Sequence, residues 1–226
     1  MAVVLLSGGL DSTTTLAYAL SKGYEVIAFT VSYGQRHSRE IESARAVAQY
    51  YGLKKHIEIE LDLGFLTTSA LTSRTVDVPQ RSRVEDAAEG IPPTYVPARN
   101  IIMLSLAAGL CENEGGDAIF IGANSVDYSG YPDCRPEFIA AFQEILRVGT
   151  KAGVEGRAIR VEAPIIEMSK ADIVRLARDL KAPLQLTWSC YRGGERACGC
   201  CDSCLLRLKG FSDVGAVDPV PYEEAR

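Results

Sequence analysis

The sequence predicts an α/β protein in which helices cover both faces of a doubly wound parallel β-sheet. Apolar, strand-like segments alternate with helical segments along the chain. The helical segments are roughly 10–15 residues long, as in the crossovers between parallel strands. Polar stretches follow the strands directly. Because ligands bind beyond the carboxyl ends of the strands in such folds, we expect the functional site in these stretches.

The first five elements are predicted within residues 2–62. AVVLL at 2–6 predicts a buried strand, and LDSTTTLAYALSKG at 10–23 predicts a helix that Gly23 ends. A second strand is predicted at 24–33. The segment at 38–52 is amphipathic, because its apolar residues share one helical face. KHIEIELD, which follows, alternates apolar and polar residues as a half-buried strand does.

The pattern is interrupted at 63–97, which is rich in Ser, Thr, Arg and Pro and has no sustained period. Loops of this length are often lids or binding loops, so this segment is a candidate lid. We divide the chain into an α/β domain at 1–185 and a cysteine-rich segment at 186–226, packed on the same domain. The later elements are predicted, in order, as a helix at 98–115, a strand at 117–123, a helix at 136–149, a strand at 158–165 and a helix at 169–180.

Composition and charge narrow the classes of function. The 226 residues are 47% hydrophobic and 23% charged, as is typical of a globular protein. The net charge of −5 leaves no excess of Lys and Arg for phosphates, so we expect no nucleic-acid partner. No basic region precedes the first strand and no apolar run approaches ~20 residues, so we expect a cytoplasmic protein without a membrane partner. The seven cysteines should then be reduced, which favours a metal site over disulfides.

The turn after the first strand, LLSGGLDSTT at 5–14, predicts a phosphate-binding loop. Its glycines let the backbone approach a phosphate, and the next helix directs its N-terminal N–H groups at the same anion. Asp11 is a predicted Mg²⁺ partner, because a carboxylate beside phosphates needs a cation between them. The alternative is an ordinary strand–helix turn in which Asp11 caps the helix. The candidate binding residues are Leu6, Ser7, Gly8, Gly9, Leu10, Asp11, Ser12 and Thr13.

Five of the seven cysteines lie in one short run and predict a metal site. Cys198, Cys201 and Cys204 are spaced C-x2-C-x2-C, and seven residues intervene after Cys190. Thiolates at such intervals can converge on one tetrahedral ion, as in structural zinc sites. An iron–sulfur cluster is the alternative, although the fourth cysteine and the proline of the bacterial ferredoxin run are absent. Cys200 is the extra thiol and could replace a neighbour as a ligand.

The stretch GANSVDYSGYPDCRPEF at 122–138 follows a predicted strand and is a candidate substrate site. Its carboxylates can accept paired N–H bonds from a guanine edge, its arginine can pair with a carboxylate, and its tyrosines can stack on a planar ring. The alternative is a Gly/Pro/Asp turn with solvated charges. The candidate residues are Asp127, Tyr128, Tyr131, Asp133 and Arg135.

Three other polar clusters occur at the ends of predicted elements. Arg99 and Asn100 begin the helix at 98–115, where Asn100 could act only as an N-cap. Lys170 lies just inside a helix start, which the helix dipole disfavours, so it predicts an anion nearby. His37 follows the second strand, but a single histidine is more often a surface residue than a catalyst.

The segment Ser-Gly-Gly-Leu-Asp-Ser at 7–12 resembles the pyrophosphate loop, or PP-loop, of the N-type ATP pyrophosphatases, whose fold is adenine nucleotide alpha hydrolase-like. That group contains GMP synthetase, NAD synthetase and argininosuccinate synthetase. The resemblance implies that the loop holds the β,γ-pyrophosphate of ATP, which leaves when a substrate oxygen attacks the α-phosphorus. A loop with this role transfers an adenylyl group, so it does not require the lysine of a Walker A loop.

Five motifs together resemble the 7-cyano-7-deazaguanine synthase family of queuosine biosynthesis, and they extend over nearly the whole chain. The first motif indicates only the superfamily, whereas the second, fourth and last make the resemblance specific. The motifs are SGGLDSTT at 7–14, YGQRH at 33–37, VPARN at 96–100, GANSVDYSGYPDCR at 122–135, and CY followed by CGCCDSC at 190–204.

The resemblance implies an ATP-dependent ligase that forms C–N bonds, converts 7-carboxy-7-deazaguanine and ammonia to the nitrile, uses Mg²⁺ and acts as a homodimer. The acid would be adenylated, ammonia would displace AMP to give an amide, and adenylation of the amide oxygen would lead to the nitrile. The implied catalytic residues are Asp11, Arg99 and Lys170, and the segment at 127–135 would bind the deazaguanine. The family's pattern for one zinc ion per chain maps onto Cys190, Cys198, Cys201 and Cys204, with Cys200 at a variable position.

Other activities are alternatives. A tRNA-modifying thiolase or a lysidine synthetase of the same superfamily would need an RNA-binding extension or a basic surface, and the net charge offers neither. A related conjugating enzyme would pass the adenylate to a protein amine. A zinc-bearing nucleotide sensor would bind ATP without releasing pyrophosphate.

Overall fold

A computed structural model of the chain describes residues 1–34, 38–73, 75–82, 90–126 and 130–224. None of the helices in these ranges is long and apolar enough to cross a membrane. The strands are β1 (Ala2–Leu5), β2 (Val26–Ser32), β3 (Lys55–Glu60), β4 (Ala118–Phe120) and β5 (Arg160–Glu162). The helices are α1 (Leu10–Ser21), α2 (Arg39–Tyr50), α3 (Arg99–Asn113), α4 (Pro136–Gly149), α5 (Lys151–Val154), α6 (Lys170–Asp179) and α7 (Asp202–Asp213), and 3₁₀ turns cover Pro132–Cys134 and Leu184–Leu186.

The five strands form one parallel sheet in the order β3-β2-β1-β4-β5, which confirms the predicted fold class. The central strand is β1, where Val4 pairs with Ala28 of β2 and with Phe120 of β4. The chain runs outward from β1 to β3 and then returns to β4 on the other side of β1. The strand order therefore reverses between β1 and β4, and the loops that leave these two strands diverge there.

Alternate residues of β1 face opposite layers, so helices cover both faces of the sheet. Val3 and Leu5 pack in a core with residues of α3 and α4. Ala2 and Val4 pack with residues of α1 and α2 on the other face. Burial on both faces explains why β1 is a continuous apolar run in the sequence, whereas the edge strand β3 alternates.

The elements predicted from the sequence are confirmed in type and order, but all five strands are shorter than predicted, β4 and β5 by more than half, and one long helix was missed. The strand predicted at 117–123 covers only Ala118–Phe120, and that predicted at 158–165 covers only Arg160–Glu162. Both lose the residues at their carboxyl ends, because those residues enter the loops at the ligand-binding edge. Helix α7 begins inside the cysteine run, which the sequence analysis interpreted only as a metal site.

The described parts of the candidate lid contact the cysteine-rich segment. The backbone N–H of Arg81 donates to the carbonyl oxygen of Cys200 at 2.8 Å, and the Arg81 guanidinium pairs with Asp202 at 2.7 Å. Val78 packs in an apolar cluster with Trp188. These contacts agree with a cysteine-rich segment packed on the same domain. The division into two units and the lid role stay predictions.

A buried ion pair fixes α7 to the segment that follows it. Nε of Arg207 lies 2.7 Å from Oδ2 of Asp218, and both side chains are only 2% exposed. Nη1 of Arg207 also donates to Oγ1 of Thr187 at 2.7 Å. Because a buried charge without its partner is strongly unfavourable, this network sets the position of α7 beside the turn at 187–189.

Candidate active site

A cavity of about 230 Å³ lies at the carboxyl edge of the sheet, beside the reversal between β1 and β4. Its walls come from the ends of β1, β2 and β4 and from the first turns of α1, α2, α3 and α6. This is the position that the fold class predicts for a ligand. The polar and charged side chains of the lining include Ser7, Asp11, Glu40, Arg99, Asn124 and Lys170.

The turn after β1 has the backbone geometry of an anion-binding loop. Gly8 has a φ of +81°, and a Cβ atom on it would lie 2.5 Å from the backbone N of Ala44, so only glycine lets α2 approach this closely. Gly9 caps α1 without a side-chain hydrogen bond. The N-terminal N–H groups of α1 and its positive dipole end therefore face the cavity.

Hydroxyl groups line the same turn. Oγ of Ser7 lies 3.0 Å from Oγ of Ser12, and the backbone N–H of Ser7 donates to Oγ of Ser12 at 3.2 Å. These contacts fix both hydroxyls at the cavity wall. Thr13 is fully buried, and its Oγ1 has no hydrogen-bond partner among the described residues.

Lys170 and Asp11 meet across the cavity. Nζ of Lys170 lies 2.9 Å from both carboxylate oxygens of Asp11, and the lysine is 7% exposed. Lys170 is the first residue of α6, which Ser169 and Asp172 begin with a reciprocal capping box. Asp11 is thus an anion next to this lysine, as the unfavourable position of Lys170 at the helix start had suggested. The ion pair joins α1, which contains Asp11, to α6.

Helix α7 packs closely against the side chain of Lys170. A Cβ atom on Gly210 would lie 2.6 Å from Cγ of Lys170, so only glycine permits this packing.

Asn124, a cavity residue that the sequence analysis did not single out, donates through Nδ2 to the carbonyl oxygens of Ile165 and Met168 at 2.9 and 2.6 Å. These two hydrogen bonds connect the loop after β4 to the segment before α6. Its place directly after a strand is the signal that could have identified it.

Arg99 lies at the start of α3 and points to the end of β2. Its Nη1 donates to the hydroxyl of Tyr33 at 3.3 Å, and its guanidinium lies 5.8 Å from the centre of the Tyr33 ring. Burial lowers the pKa of the Arg99 guanidinium. The electrostatic effects of Tyr33 and Tyr131 are opposite in sign and contribute to a pKa that is raised overall. Arg99 is therefore a permanent cation in the cavity wall.

Glu40 is a second acidic group at the cavity, and the sequence analysis did not single it out. Burial raises the pKa of its carboxyl to about 7, although Arg99 acts in the opposite direction. The residue is the second of α2 and lies four positions before the buried Ala44. Glu40 therefore lies on the same face of the helix as Ala44. The four-residue spacing from Ala44 is the signal that could have identified it.

The candidate substrate residues at 122–138 separate in the structure. Tyr131 lines the cavity, and its hydroxyl lies 2.7 Å from Oγ1 of Thr94. Asp133 is buried, and its Oδ2 accepts a hydrogen bond from the backbone N–H of Asn100 at 3.0 Å, at the start of α3. Arg135 is exposed at the start of α4. Neither Asp133 nor Arg135 belongs to the described cavity lining, and their contact with substrate stays a prediction.

The alternative role of Asn100 as an N-cap is not found in the structure. Asn100 does not cap α3; Ala98 is the cap residue, with a left-handed φ of 55°. The Asn100 side chain instead donates to the carbonyl oxygen of Asp133 at 2.9 Å, which joins α3 to the 3₁₀ turn. Asp127, Tyr128 and His37 lie outside the residues that the structure describes.

Four of the cysteines converge at the start of α7. The Sγ atoms of Cys190, Cys198, Cys201 and Cys204 all lie within 4.8 Å of one another. Hydrogen bonds among the four thiols, with Cys190 the largest contributor in each case, lower the pKa of Cys198 but raise those of Cys201 and Cys204. Four Sγ atoms at these separations could hold a metal ion, which binds cysteine as the thiolate. Cys200 lies outside the cluster, with Sγ 3.9 Å from Oε1 of Gln80.

The parallel sheet, the glycine turn at its reversal point and the lysine–aspartate pair beside that turn define an α/β protein with a candidate anion-binding site at the carboxyl edge of its sheet. The chain belongs to the family described as Queuosine biosynthesis protein QueC, which it matches over residues 1–215. The motifs at 7–14 and 190–204, which predicted this family, lie in the cavity wall and in the cysteine cluster.

Two relatives are similar over nearly their whole length. The 7-cyano-7-deazaguanine synthase of Acetivibrio thermocellus is 55% identical over 223 residues, which are 99% of this chain and 98% of that protein. The 7-cyano-7-deazaguanine synthase 2 of Desulfitobacterium hafniense is 57% identical over 221 residues, which are 98% of this chain and 92% of that protein. Among solved structures, the U34-tRNA thiolase NcsA from Methanococcus maripaludis is 18% identical, with a TM-score of 0.46 and coverage of 80% of this chain and 57% of that one.

Proposed function

We propose that the chain converts 7-carboxy-7-deazaguanine and ammonia to 7-cyano-7-deazaguanine, with ATP consumed in two adenylation rounds. The observation that carries this proposal is the likeness to relatives named for this product, at more than half identity over nearly the whole chain. The phosphate-type turn and the Lys170–Asp11 pair in one cavity support the adenylation chemistry.

The route follows from the leaving groups. A carboxylate cannot expel oxide, so its oxygen first attacks the α-phosphorus of ATP, forms an acyl adenylate and releases pyrophosphate. Ammonia then attacks the acyl carbon, the C–O bond to AMP breaks, and the amide forms. The amide oxygen is adenylated by a second ATP, and loss of AMP and protons gives the C≡N bond. Acid and amide are nearly isosteric, so one site can serve both rounds.

The cavity residues divide between the phosphates and the base. The turn at 7–9 and the N-terminus of α1 would hold the leaving pyrophosphate through backbone N–H groups. Lys170 and Arg99 would stabilise charge that develops on the phosphates. Tyr131, which lines the cavity, would bind the deazaguanine together with Asp127, Tyr128, Asp133 and Arg135.

Two metal ions complete the proposal. Mg²⁺ is usually held by one or two carboxylates and by substrate phosphates, and Asp11 offers one carboxylate beside the phosphate turn. When bound, Mg²⁺ would neutralise the phosphate charge. Cys190, Cys198, Cys201 and Cys204 fit a structural zinc ion, because four thiolates close a tetrahedral site and leave no open position for catalysis.

We expect AMP and pyrophosphate as the nucleotide products, because the turn after β1 is suited to a leaving pyrophosphate rather than to γ-phosphoryl transfer. Chromatography of the spent nucleotide, with mass spectrometry of the base, measures both products. The control is the same mixture without ammonium, which should release pyrophosphate without forming nitrile. ADP that accumulates in step with nitrile would exclude adenylation, and another acceptor product would favour a related PP-loop enzyme.

We further propose a cytoplasmic homodimer that acts without a nucleic-acid or membrane partner. The described cysteines are all free thiols, which suits a reducing compartment. On α4, Ala141, Ile145 and Val148 are exposed at helical spacing, and the last two are 56% and 59% exposed. An aligned apolar stripe of this kind marks a contact surface more often than single apolar residues do.

Ile145→Lys should therefore convert the dimer to a monomer, because a charge would be buried at the centre of the stripe. Light scattering coupled to size exclusion measures the mass. Val217→Lys is the matched control, since Val217 is an apolar residue that is 91% exposed and lies far along the chain from α4. A dimer that persists in the Ile145 variant would show that α4 does not form the interface.

A further inference from the structure

The cavity contains a carboxylate that the adenylation chemistry leaves without a role. Among the described lining residues, the acidic groups are Asp11 and Glu40. Asp11 is occupied, because both of its oxygens contact Nζ of Lys170. No described residue donates a hydrogen bond to the carboxylate of Glu40.

Glu40 is fixed close to the reacting groups. It is the second residue of α2, and the backbone oxygen of Glu40 occupies the space that a Cβ atom on Gly8 would need. The start of α2 therefore abuts the proposed pyrophosphate turn. Arg99, a proposed phosphate ligand, is the cation that acts most strongly on the Glu40 carboxyl. The backbone contact with Gly8 places the start of α2, and Glu40 with it, at the phosphate end of the cavity.

A carboxylate in that place requires a cation when ATP is bound, because phosphate and carboxylate charges repel. The proposed reaction brings one as a substrate: ammonia is chiefly ammonium at neutral pH, and ammonium has no free electron pair for attack. A group in the cavity must therefore bind the ion and accept a proton before the C–N bond can form.

We propose that Glu40 is the ammonium-binding residue and the proton acceptor of the amide-forming step. Its carboxylate takes one proton from NH₄⁺ and leaves NH₃. The nitrogen lone pair forms the C–N bond at the acyl carbon, and the electrons of the breaking C–O bond leave with AMP. The nitrogen then loses one proton to solvent to give the neutral amide, and Glu40 later returns its proton to solvent. This assignment rests on the proposed function.

The surroundings of Glu40 suit this role. The charged and titratable groups that act on it are Arg99, which favours the carboxylate, and Cys190, which opposes it, after the larger effect of burial. Burial raises the pKa of Tyr33, and the negative charge of Glu40 raises it further. A base whose pKa lies near the working pH accepts and releases protons most effectively.

The test compares two nucleophiles with the full-length Glu40→Gln protein. Hydroxylamine is neutral in slightly alkaline buffer, attacks acyl adenylates and needs no base to free its electron pair. We expect kcat/KM for ammonium to fall on the order of 10²–10⁴-fold. Hydroxamate formation with hydroxylamine, and pyrophosphate release with acid and ATP alone, should be nearly unchanged. A purely structural role would lower all three.

Matched variants complete the design. Glu42→Gln changes the other acidic residue in the first turn of α2, which pairs with Arg39 at 3.3 Å on the surface, and should behave as the parent. Glu40→Asp keeps the carboxylate and should restore part of the ammonium reaction. Equal losses with both nucleophiles, unchanged ammonium kinetics, or a higher Mg²⁺ requirement in place of the ammonium defect would each overturn the assignment. A parent protein without acid-dependent pyrophosphate release would instead refute the proposed function, and this inference with it.

Discussion

Cys204→Ser is expected to yield protein that lacks the proposed zinc ion and unfolds at a much lower temperature than the parent. Cys204 is 1% exposed, and its Sγ lies 4.0 Å from that of Cys198, so its loss removes one of four converging ligands. A structural zinc site contributes on the order of 10 kcal/mol to folding, so stability should fall before any effect on chemistry is seen. Elemental analysis and thermal unfolding of the purified protein measure the two effects.

Cys200→Ser is the matched control, because it removes a neighbouring thiol by the same change. The Cys200 side chain faces Gln80 and lies outside the four-cysteine cluster, so the metal content and the unfolding temperature should match those of the parent. If Cys200→Ser loses metal while Cys201→Ser retains it, the proposed ligand set is wrong. Brown protein that contains iron would show that the metal is not zinc.

Asp11→Asn is expected to abolish nitrile formation while the protein stays folded. The change removes the carboxylate charge that faces Lys170 at 2.9 Å and the proposed Mg²⁺ contact, but it keeps the size of the side chain. Loss of one preorganised electrostatic contact of this kind lowers kcat on the order of 10²–10³-fold, and loss of the metal contact should add to it. Steady-state kinetics at several Mg²⁺ concentrations, with circular dichroism for folding, give the result.

Asp213→Asn offers a matched control for the same exchange. Asp213 pairs with Lys209 at 2.7 Å, but both side chains are about half exposed, and such surface pairs contribute only about 0.2–1 kcal/mol. Its activity should equal that of the parent. If Asp11→Asn also retains full activity at saturating Mg²⁺, the Asp11 carboxylate serves only to position Lys170.

Local sequence accounts for the elements and for the first part of the site. The apolar run at 2–6, the glycines that follow it and the helix at 10–23 are adjacent in the chain, so the turn could be predicted from them. Ser169 and Asp172 likewise begin α6 through contacts three residues apart. The cysteine spacing predicted a cluster that the structure brings together, because short intervals limit where the thiols can lie.

Other assignments depended on contacts that no local pattern contains. The substrate role of Asp133 stays a prediction, and the contact of its carboxylate with the start of α3, 33 positions away, became visible only in the structure. Helix α7 was missed because its first turn overlaps the cysteine run, which was interpreted only as a metal site. Glu40 appeared in the sequence only as one charged residue of an amphipathic helix, and its half-buried place in the cavity wall became visible once α2 was packed against the turn after β1.

The sequence by itself determined the order and type of the elements, the phosphate-type turn and the metal-type cysteine spacing, since each depends on residues close together in the chain. The tertiary structure decided which distant side chains share the cavity. Lys170 and Asp11 are separated by 159 positions and meet because the strand order brings β1 next to β4 and because α6 packs on α1. Such contacts depend on how the layers pack, and the period of a helix or strand contains no information about it.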